Sequence, residues 1–542
     1  MNKFARKSAA WLLGLTIAFS MPFASIAAEQ PAQKNSKNVI ILIPDGMSTT
    51  GTTLARWYQG GAPLAMDEMA SGLVRTYWAA GAITDSAPAG TALATGNKSY
   101  NKFISVLPDK VDMPGVPAVK PEDAKKPVAT LLEAAKLAGK ATGIIATSNI
   151  QHATPAAFSS HYPDRSRYDI LGEQQVYNNV DVVLGSGYQY LMSQNRKDKE
   201  DLLGVLKAKG YDYITTPEQM KKSTSAKLWG LFAPDAMAYE MDRDPAKEPS
   251  LAEMTGKALD ILSRDSDGFF LMVEGSKVDW AAHANDPIGV ISDVLAFDKA
   301  VKVALDFAKK DGNTVVLACT DHGNGGISMG SAGTNSGYDS APLAKFMEQL
   351  TKAKLTGEGL EKKILPDKSN IKEVMAEYYG ISNLTEDETK AIAAAKPGSL
   401  NSVVGPMISK RANIGWTTTG HTGEEVTLYS YLPGNQRLTG VIDNTDIAKY
   451  AATAMNVNLE EATRKLFVPV RGAFEAKGAT VAWDETDMEN PLIIITKGTD
   501  VLKLPVYKNI AELNGKTIEM KGIVVFNGEK CFVPQEAVDL IK

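Results

Sequence analysis

Cysteine is nearly absent: 542 residues hold two, Cys319 and Cys531, far apart in the chain. That excludes a disulfide framework and a cysteine-built zinc cluster. Cys319 closes the apolar run Thr314–Cys319 and reads as a buried thiol. Histidine is scarce too, at five residues. Basic charge is not in excess, with 58 Lys and Arg against 63 Asp and Glu and a net charge of −5. Such a surface repels a phosphate backbone, so specific nucleic-acid binding is not expected. Beyond the N-terminus no apolar run is long enough to cross a membrane, and no transmembrane anchor is expected.

What is present begins with a leader. Lys3, Arg6 and Lys7 precede the apolar run Ala9–Phe19, and Ser25-Ile26-Ala27-Ala28 offers small residues for cleavage. Residues 1–28 read as a secretory signal peptide, which sends the mature protein to the periplasm, the medium or the cell surface. No cysteine stands at the cleavage site, so a lipid anchor is not expected. Losing the three basic residues of the leader takes the net charge to about −8. The rest is ordinary globular composition, long enough for more than one domain.

One pattern then recurs. Asn38–Ile43 is a branched apolar run ending at Pro44-Asp45-Gly46. Pro127–Ala138 reads as a helix, and Ala141–Thr147 as a strand leading to His152 and Thr154. Helix Leu251–Ser263 precedes strand Phe269–Val273 and Glu274. Helix Ile288–Lys309 precedes strand Thr314–Cys319 and Asp321-His322-Gly323. Helix alternating with apolar strand predicts an α/β fold, a central mainly parallel sheet sandwiched by helices. Ligands of such sheets bind beyond the carboxyl ends of the strands, where these polar residues fall.

Loops are polar anyway, but that does not explain where the histidines stand. His322 follows Asp321 directly, and His283 lies four residues after Asp279, on one face of a helical turn. His421 is flanked by glycine in Thr419-Gly420-His421-Thr422-Gly423. Mixed imidazole and carboxylate suits zinc, while carboxylate and hydroxyl oxygen suits magnesium. A multi-metal site is the favoured reading. His161 has no such neighbours and is expected on a surface or loop. Arg165 is a candidate phosphate clamp, because a guanidinium bonds two oxygens at once. Asp85-Ser86 opens the small-residue run Ala87–Gly96, with Pro88 near its start. Alone, that is an ordinary helix cap; beside metals and Arg165, Ser86 becomes a nucleophile at the positive end of a helix.

As a set, Asp45, Asp85-Ser86, His152-x-Thr154 with Arg165, Glu274-x4-Asp279-x3-His283, Asp321-His322 and His421 resemble the alkaline phosphatase family, from Asn38 to the mid-460s. The resemblance implies hydrolysis of a broad range of phosphate monoesters, through a serine phosphorylated in transit, at two Zn2+ and one Mg2+. By resemblance Ser86 is the nucleophile, Arg165 holds phosphate, and Asp85 orients Arg165. Asp279, His283 and His421 would bind the first zinc. Asp45, Asp321 and His322 would bind the second, with Ser86 as its substrate-side ligand. Asp45, Thr154 and Glu274 would hold magnesium. His152 and Trp280 stand at positions that vary in the family and border the substrate; that pair leaves the third site open between magnesium and zinc. A homodimer is implied by the same likeness, although long insertions could block its interface.

The catalytic domain is expected over residues 29–465, with insertions at about 188–247 and 328–414 beside the active-site face. Trp416 is expected to line the pocket or pack in the core. Residues 466–542 form a small β-rich domain in which Phe467-Val468-Pro469 is echoed by Phe532-Val533-Pro534, each before a short helix. This tail resembles the N-terminal module of copper amine oxidases but contains no histidine. It is read as a packing module, with cell-envelope contact as the sharper alternative. Rival readings are a phosphodiesterase or sulfatase relative, and a non-catalytic envelope protein with structural metals. Ser86 with Thr154 and Glu274 favours monoester hydrolysis.

Overall fold

The computed structural model describes residues 36–542, and the leader assigned to residues 1–28 lies outside the described residues. Strand β1, Asn38–Pro44, is buried throughout. Val39, Ile41 and Ile43 enter one core while Ile40 and Leu42 enter another, because successive side chains of a strand point to opposite faces. Both faces are covered, which is why the run is continuously apolar.

Nine more strands complete the sheet: β2 (Ala70–Arg75), β3 (Ala141–Asn149), β4 (Val182–Ser186), β5 (Asp212–Ile214), β6 (Leu228–Leu231), β7 (Phe269–Gly275), β8 (Thr314–Ala318), β9 (Val426–Tyr431) and β10 (Gly440–Asp443). Their spatial order is β10-β2-β9-β8-β1-β7-β3-β4-β6-β5. β9 runs antiparallel to its neighbours and the other pairings are parallel. Helices Leu251–Leu262 and Pro287–Asp311 cover one face, and Leu131–Leu137 and Asn444–Ala454 the other. This is the expected mainly parallel α/β sandwich. The strands marked by the sequence pattern, β8, β1, β7 and β3, are consecutive at its middle. Their carboxyl ends therefore share one crevice.

Some expectations change. The helix expected from Pro127 starts at Leu131, because Pro127 pairs with Val106 in a β-bridge and Thr130 forms a capping box with Glu133. Residues 188–247 were expected as an insertion beside the active-site face; they instead carry β5 and β6, which extend the central sheet at one edge. Residues 328–414 form a separate helical unit closed at its neck, where Ser328 and Met329 pair with Gly415 and Ile414. Its core includes Val374, Tyr379, Leu400 and Ile408, and it packs on Leu54, Ile288 and Ile291. Trp416 packs against this core and donates Nε1–H to Ser409 Oγ at 2.9 Å.

In the tail, the two aromatic-Val-Pro segments pair with one another, Val468 opposite Val533 and Pro469 opposite Phe532. A five-stranded antiparallel sheet spans Thr480–Glu519. Within it Ile510–Leu513 pairs with Lys516–Glu519 through the turn Asn514-Gly515, both at positive φ. Phe467, Ile523, Val525 and Phe532 belong to the core cluster that runs under the central sheet, so the tail packs directly on the α/β body. Cys319 and Cys531 are both buried and unbridged.

Candidate active site

Helix Ser86–Thr95 is buried along its whole length. Its small side chains make that possible: a Cβ added at Gly90 would lie 3.1 Å from the Ala157 Cβ of the neighbouring helix. Asp85 occupies the N-cap position but makes no side-chain cap bond. Its carboxylate accepts from Arg165 Nη1 at 2.7 Å instead. Arg165 Nη2 donates to His152 Nε2 at 3.0 Å. Burial, then the Arg165 charge, push the His152 imidazole down to about 3. The neutral ring then carries its proton on Nδ1, which is buried without a hydrogen-bond partner. The His152 and Trp280 rings meet edge to face at 5.8 Å.

The ligand candidates fall into groups sharing a centre. Asp279, His283 and His421 present ligand atoms within 4.8 Å of one another, as do Asp45, Asp321 and His322, and again Asp45, His152 and Glu274. Asp279 and His283 lie on helix Lys277–His283. His421 is brought beside His322 because His421–Thr422 pairs with Gly323–Asn324. Gly46, at φ +70°, lets the β1 turn approach Asp279; an added Cβ would lie 2.6 Å from Asp279 Oδ1.

The imidazoles are oriented alike. Each has Nδ1 facing a backbone carbonyl: His283 to Thr419 at 2.7 Å, His421 to Thr84 at 2.8 Å, and His322 to Gly323 at 3.3 Å. A proton on Nδ1 leaves Nε2 as the inward-facing base, the arrangement of metal-binding histidines. His421 Nε2 lies 3.1 Å from His283 Nε2, and His322 Nε2 lies 3.1 Å from Asp321 Oδ2 and 3.5 Å from Asp45 Oδ1. Ser86 Oγ is 3.3 Å from His322 Nε2. Thr154 Oγ1, both Asp45 oxygens and Glu274 Oε1 are buried without hydrogen-bond partners, and Asp321 Oδ2 faces the His322 ring. Carboxylates left so in a core need a cation.

The electrostatics agree. Burial, then repulsion from Asp321, Asp279 and Glu274, hold the Asp45 carboxyl well above the usual range. Burial pushes Glu274 up to about 8. The His322 ring is opposed by burial, yet Asp321, Asp279 and Asp85 lift it to about 9. Protons are thus drawn to places where a metal would compete with them. This donor set, imidazole nitrogen with carboxylate and hydroxyl oxygen, fits zinc and magnesium.

The structure therefore brings together Asp45, Asp85, Ser86, His152, Arg165, Glu274, Asp279, Trp280, His283, Asp321, His322 and His421, with Thr154 buried on the helix that begins after His152. His161 does not join them, and it is not on the surface. It is fully buried, with Nδ1 2.9 Å from Ser105 O and Nε2 2.9 Å from Glu133 Oε1. Sequence reading also missed Asn324, whose Nδ2 donates to Asp279 Oδ1 at 2.6 Å. Its place two residues past His322 was the available signal.

Fold and site define a class of α/β enzyme that gathers candidate metal-ligating side chains around a helix-borne serine at the strand ends. Residues 36–457 match the family described as Alkaline phosphatase, and the chain belongs to that family. Residues 449–540 match the Copper amine oxidase N-terminal domain. Alkaline phosphatase 4 of Bacillus subtilis (strain 168) is 39% identical over 444 residues, covering 78% of this chain and 89% of its own length. Alkaline phosphatase 3 of the same organism is 36% identical over 492 residues, covering 85% and 99%. The crystal structure of Thermus thermophilus alkaline phosphatase superposes with a TM-score of 0.70 at 27% identity, over 79% of this chain and 94% of that one.

Proposed function

We propose that this phosphomonoesterase works through a covalent phosphoserine on Ser86, at a centre of two zinc ions and one magnesium ion, on a broad range of monoesters. The observation that carries the reading is the convergence of three imidazole Nε2 atoms and unpartnered carboxylate oxygens beside Ser86 Oγ. Asp279, His283 and His421 would hold one zinc; Asp45, Asp321 and His322 the other, beside Ser86; Asp45, Thr154 and Glu274 the magnesium, next to His152. Bound there, the ions supply Lewis-acid charge that favours deprotonation of a nearby hydroxyl and offsets charge on the phosphoryl group.

The residues of the chain do the rest. Ser86 Oγ attacks phosphorus, the P–O bond to the alcohol breaks, and the alcohol leaves with a proton. Water then attacks the phosphoserine, releasing inorganic phosphate and restoring the hydroxyl. Arg165 spends one N–H on Asp85 and one on His152, so three of its five donors remain for phosphate oxygens. Asp85 thus fixes the plane in which the guanidinium presents them. With recognition centred on the phosphate, the alcohol is weakly selected. The leader pattern in residues 1–28 supports export to the periplasm or cell surface.

Phosphate release from a monoester and a diester at alkaline pH, with and without chelator, tests this. The monoester should be the far better substrate, and chelation should abolish its turnover until zinc and magnesium are restored. Activity surviving complete metal removal would sink the reading.

A further inference from the structure

The segment carrying Arg165 is tied to the nucleophile helix by a short ladder. Arg165 N donates to Lys102 O at 2.8 Å, Ile104 N to Tyr162 O at 2.8 Å, and Tyr162 N to Ile104 O at 3.0 Å. His161 Nδ1 meets Ser105 O at 2.9 Å. Thr91, inside the helix that starts at Ser86, donates its hydroxyl to Phe103 O and accepts from Ser105 N at 2.9 Å. The position of Arg165 relative to Ser86 is therefore set through 102–105.

The tail lies against the other side of this ladder. Tyr507 meets the Tyr162 ring edge to face at 6.4 Å, and Phe467 meets the His161 ring at 4.6 Å. Asn527 Nδ2 donates to Lys125 O at 2.8 Å, Glu529 pairs with Lys125, and Lys530 Nζ donates to Glu122 O at 2.7 Å. Lys508 pairs with Glu200 at 2.8 Å and Glu173 at 3.6 Å.

Backbone strain gathers along the same seam. Lys102 (φ 67°), Ser105 (φ 44°), Lys125 (φ 56°) and Tyr507 (φ 66°) all sit in the left-handed region that favours glycine. A bulky aromatic there is an outlier, retained only where its surroundings over-determine it. Each of the first three offers its carbonyl to the seam: Lys102 to Arg165, Ser105 to His161, Lys125 to Asn527. Tyr507 is 8% exposed, and its hydroxyl donates to Phe526 O within the tail, leaving the ring edge and face for Tyr162.

We propose that the C-terminal module is a brace for the phosphate-binding arginine, with Tyr507 as its positioning residue acting through Tyr162 on Arg165. The inference rests on Arg165 being the phosphate-binding residue. Because Arg165 would contact phosphate oxygens in bound ground state and transition state alike, loosening it weakens binding more than it slows the bound step.

The test uses the full-length metal-loaded enzyme, with inorganic phosphate as competitive inhibitor and an aryl phosphate as substrate. Tyr507→Gly removes the ring; relief of the positive φ offsets part of the cost of the cavity, and thermal unfolding checks that the variant is folded. It should raise KM and the phosphate inhibition constant together by about 5-fold, with kcat within about 2-fold. Tyr507→Phe, which keeps the ring, should stay near wild type. In an Arg165→Ala background Tyr507→Gly should add almost nothing. Tyr507→Leu serves as a reserve variant and should raise the constant in the same direction. If Arg165→Ala leaves the inhibition constant unchanged, the reading of Arg165 itself fails. If Arg165→Ala raises it and a folded Tyr507 variant does not, whatever happens to its melting temperature, the brace is overturned.

Discussion

Two buried histidine–carboxylate groups lie in the same catalytic body and behave in opposite ways. At the strand ends, His322 faces Asp45 and Asp321, and several oxygens around it have no protein donor. Beneath the Arg165 segment, His161 faces Glu133 and Ser105 O with both nitrogens at 2.9 Å, and Glu133 also accepts from the Thr130 amide at 3.0 Å. Burial is the same, since both rings are fully enclosed. What separates them is the balance of donors and acceptors. The His161 group closes on itself, as a structural pair must. The His322 group leaves acceptors open, as a site that takes cations would. A buried charge is evidence of a site when its partners run out.

The largest break in that comparison comes from the residue the cluster serves. Ser86→Ala should lower turnover at least about 10^4-fold and abolish the burst of phosphoenzyme, while metal content stays near wild type. Rapid-quench kinetics with metal analysis checks both; near-normal turnover would remove Ser86 from the mechanism. No comparable loss should follow from disturbing His161, which touches nothing that reacts.

A change of sign comes next. Asp45→Asn should cost at least about 100-fold in activity with metals present. In chelated protein the same substitution should raise stability by about 1 kcal/mol or more, because it removes a carboxylate that burial and three neighbouring carboxylates disfavour. Thermal unfolding at slightly alkaline pH, with and without chelator, reads this. A chelated variant less stable than chelated wild type would mean that Asp45 is held by protein contacts after all.

The contrast also shows what the sequence could carry. β8, β1, β7 and β3 were legible because parallel strands buried on both faces read as apolar runs, and because scarce histidines stood at ligand spacing just beyond two of them. The carbonyls of Thr84 and Thr419, which orient His421 and His283, were not legible: every residue has a carbonyl, and only the fold selects one. β5 and β6 are three and four residues long, too short for periodicity to separate from loop. That His161, in its loop, is fully buried was not legible either. Its partners lie 28 and 56 residues away, and only packing brings them to it. The echoed aromatic-Val-Pro segments were legible as a repeat, but not that they would pair with one another.

An effect on stability with none on turnover sharpens the satisfied half of the comparison. Burial pushes the Glu133 carboxyl up, but the charge and hydrogen bond of His161, with the Thr130 amide, outweigh it and hold the group below its ordinary value. A carboxyl depressed by folding contributes stability that is full above its unfolded pKa and lost as pH falls through the folded one. Glu133→Gln keeps the shape and the capping box yet leaves the His161 ring facing a neutral amide. It should cost about 3 kcal/mol at neutral pH, the scale of a buried pair broken from one side. On acidification below the ordinary carboxyl range the difference should shrink, because the wild type loses stability more steeply, by up to about 1.4 kcal/mol per pH unit for one proton. Denaturant midpoints measured from neutral to acid pH give both curves. Parallel curves would show that the carboxylate charge of Glu133 does not stabilise the fold, and that the pair closes by hydrogen bonding alone.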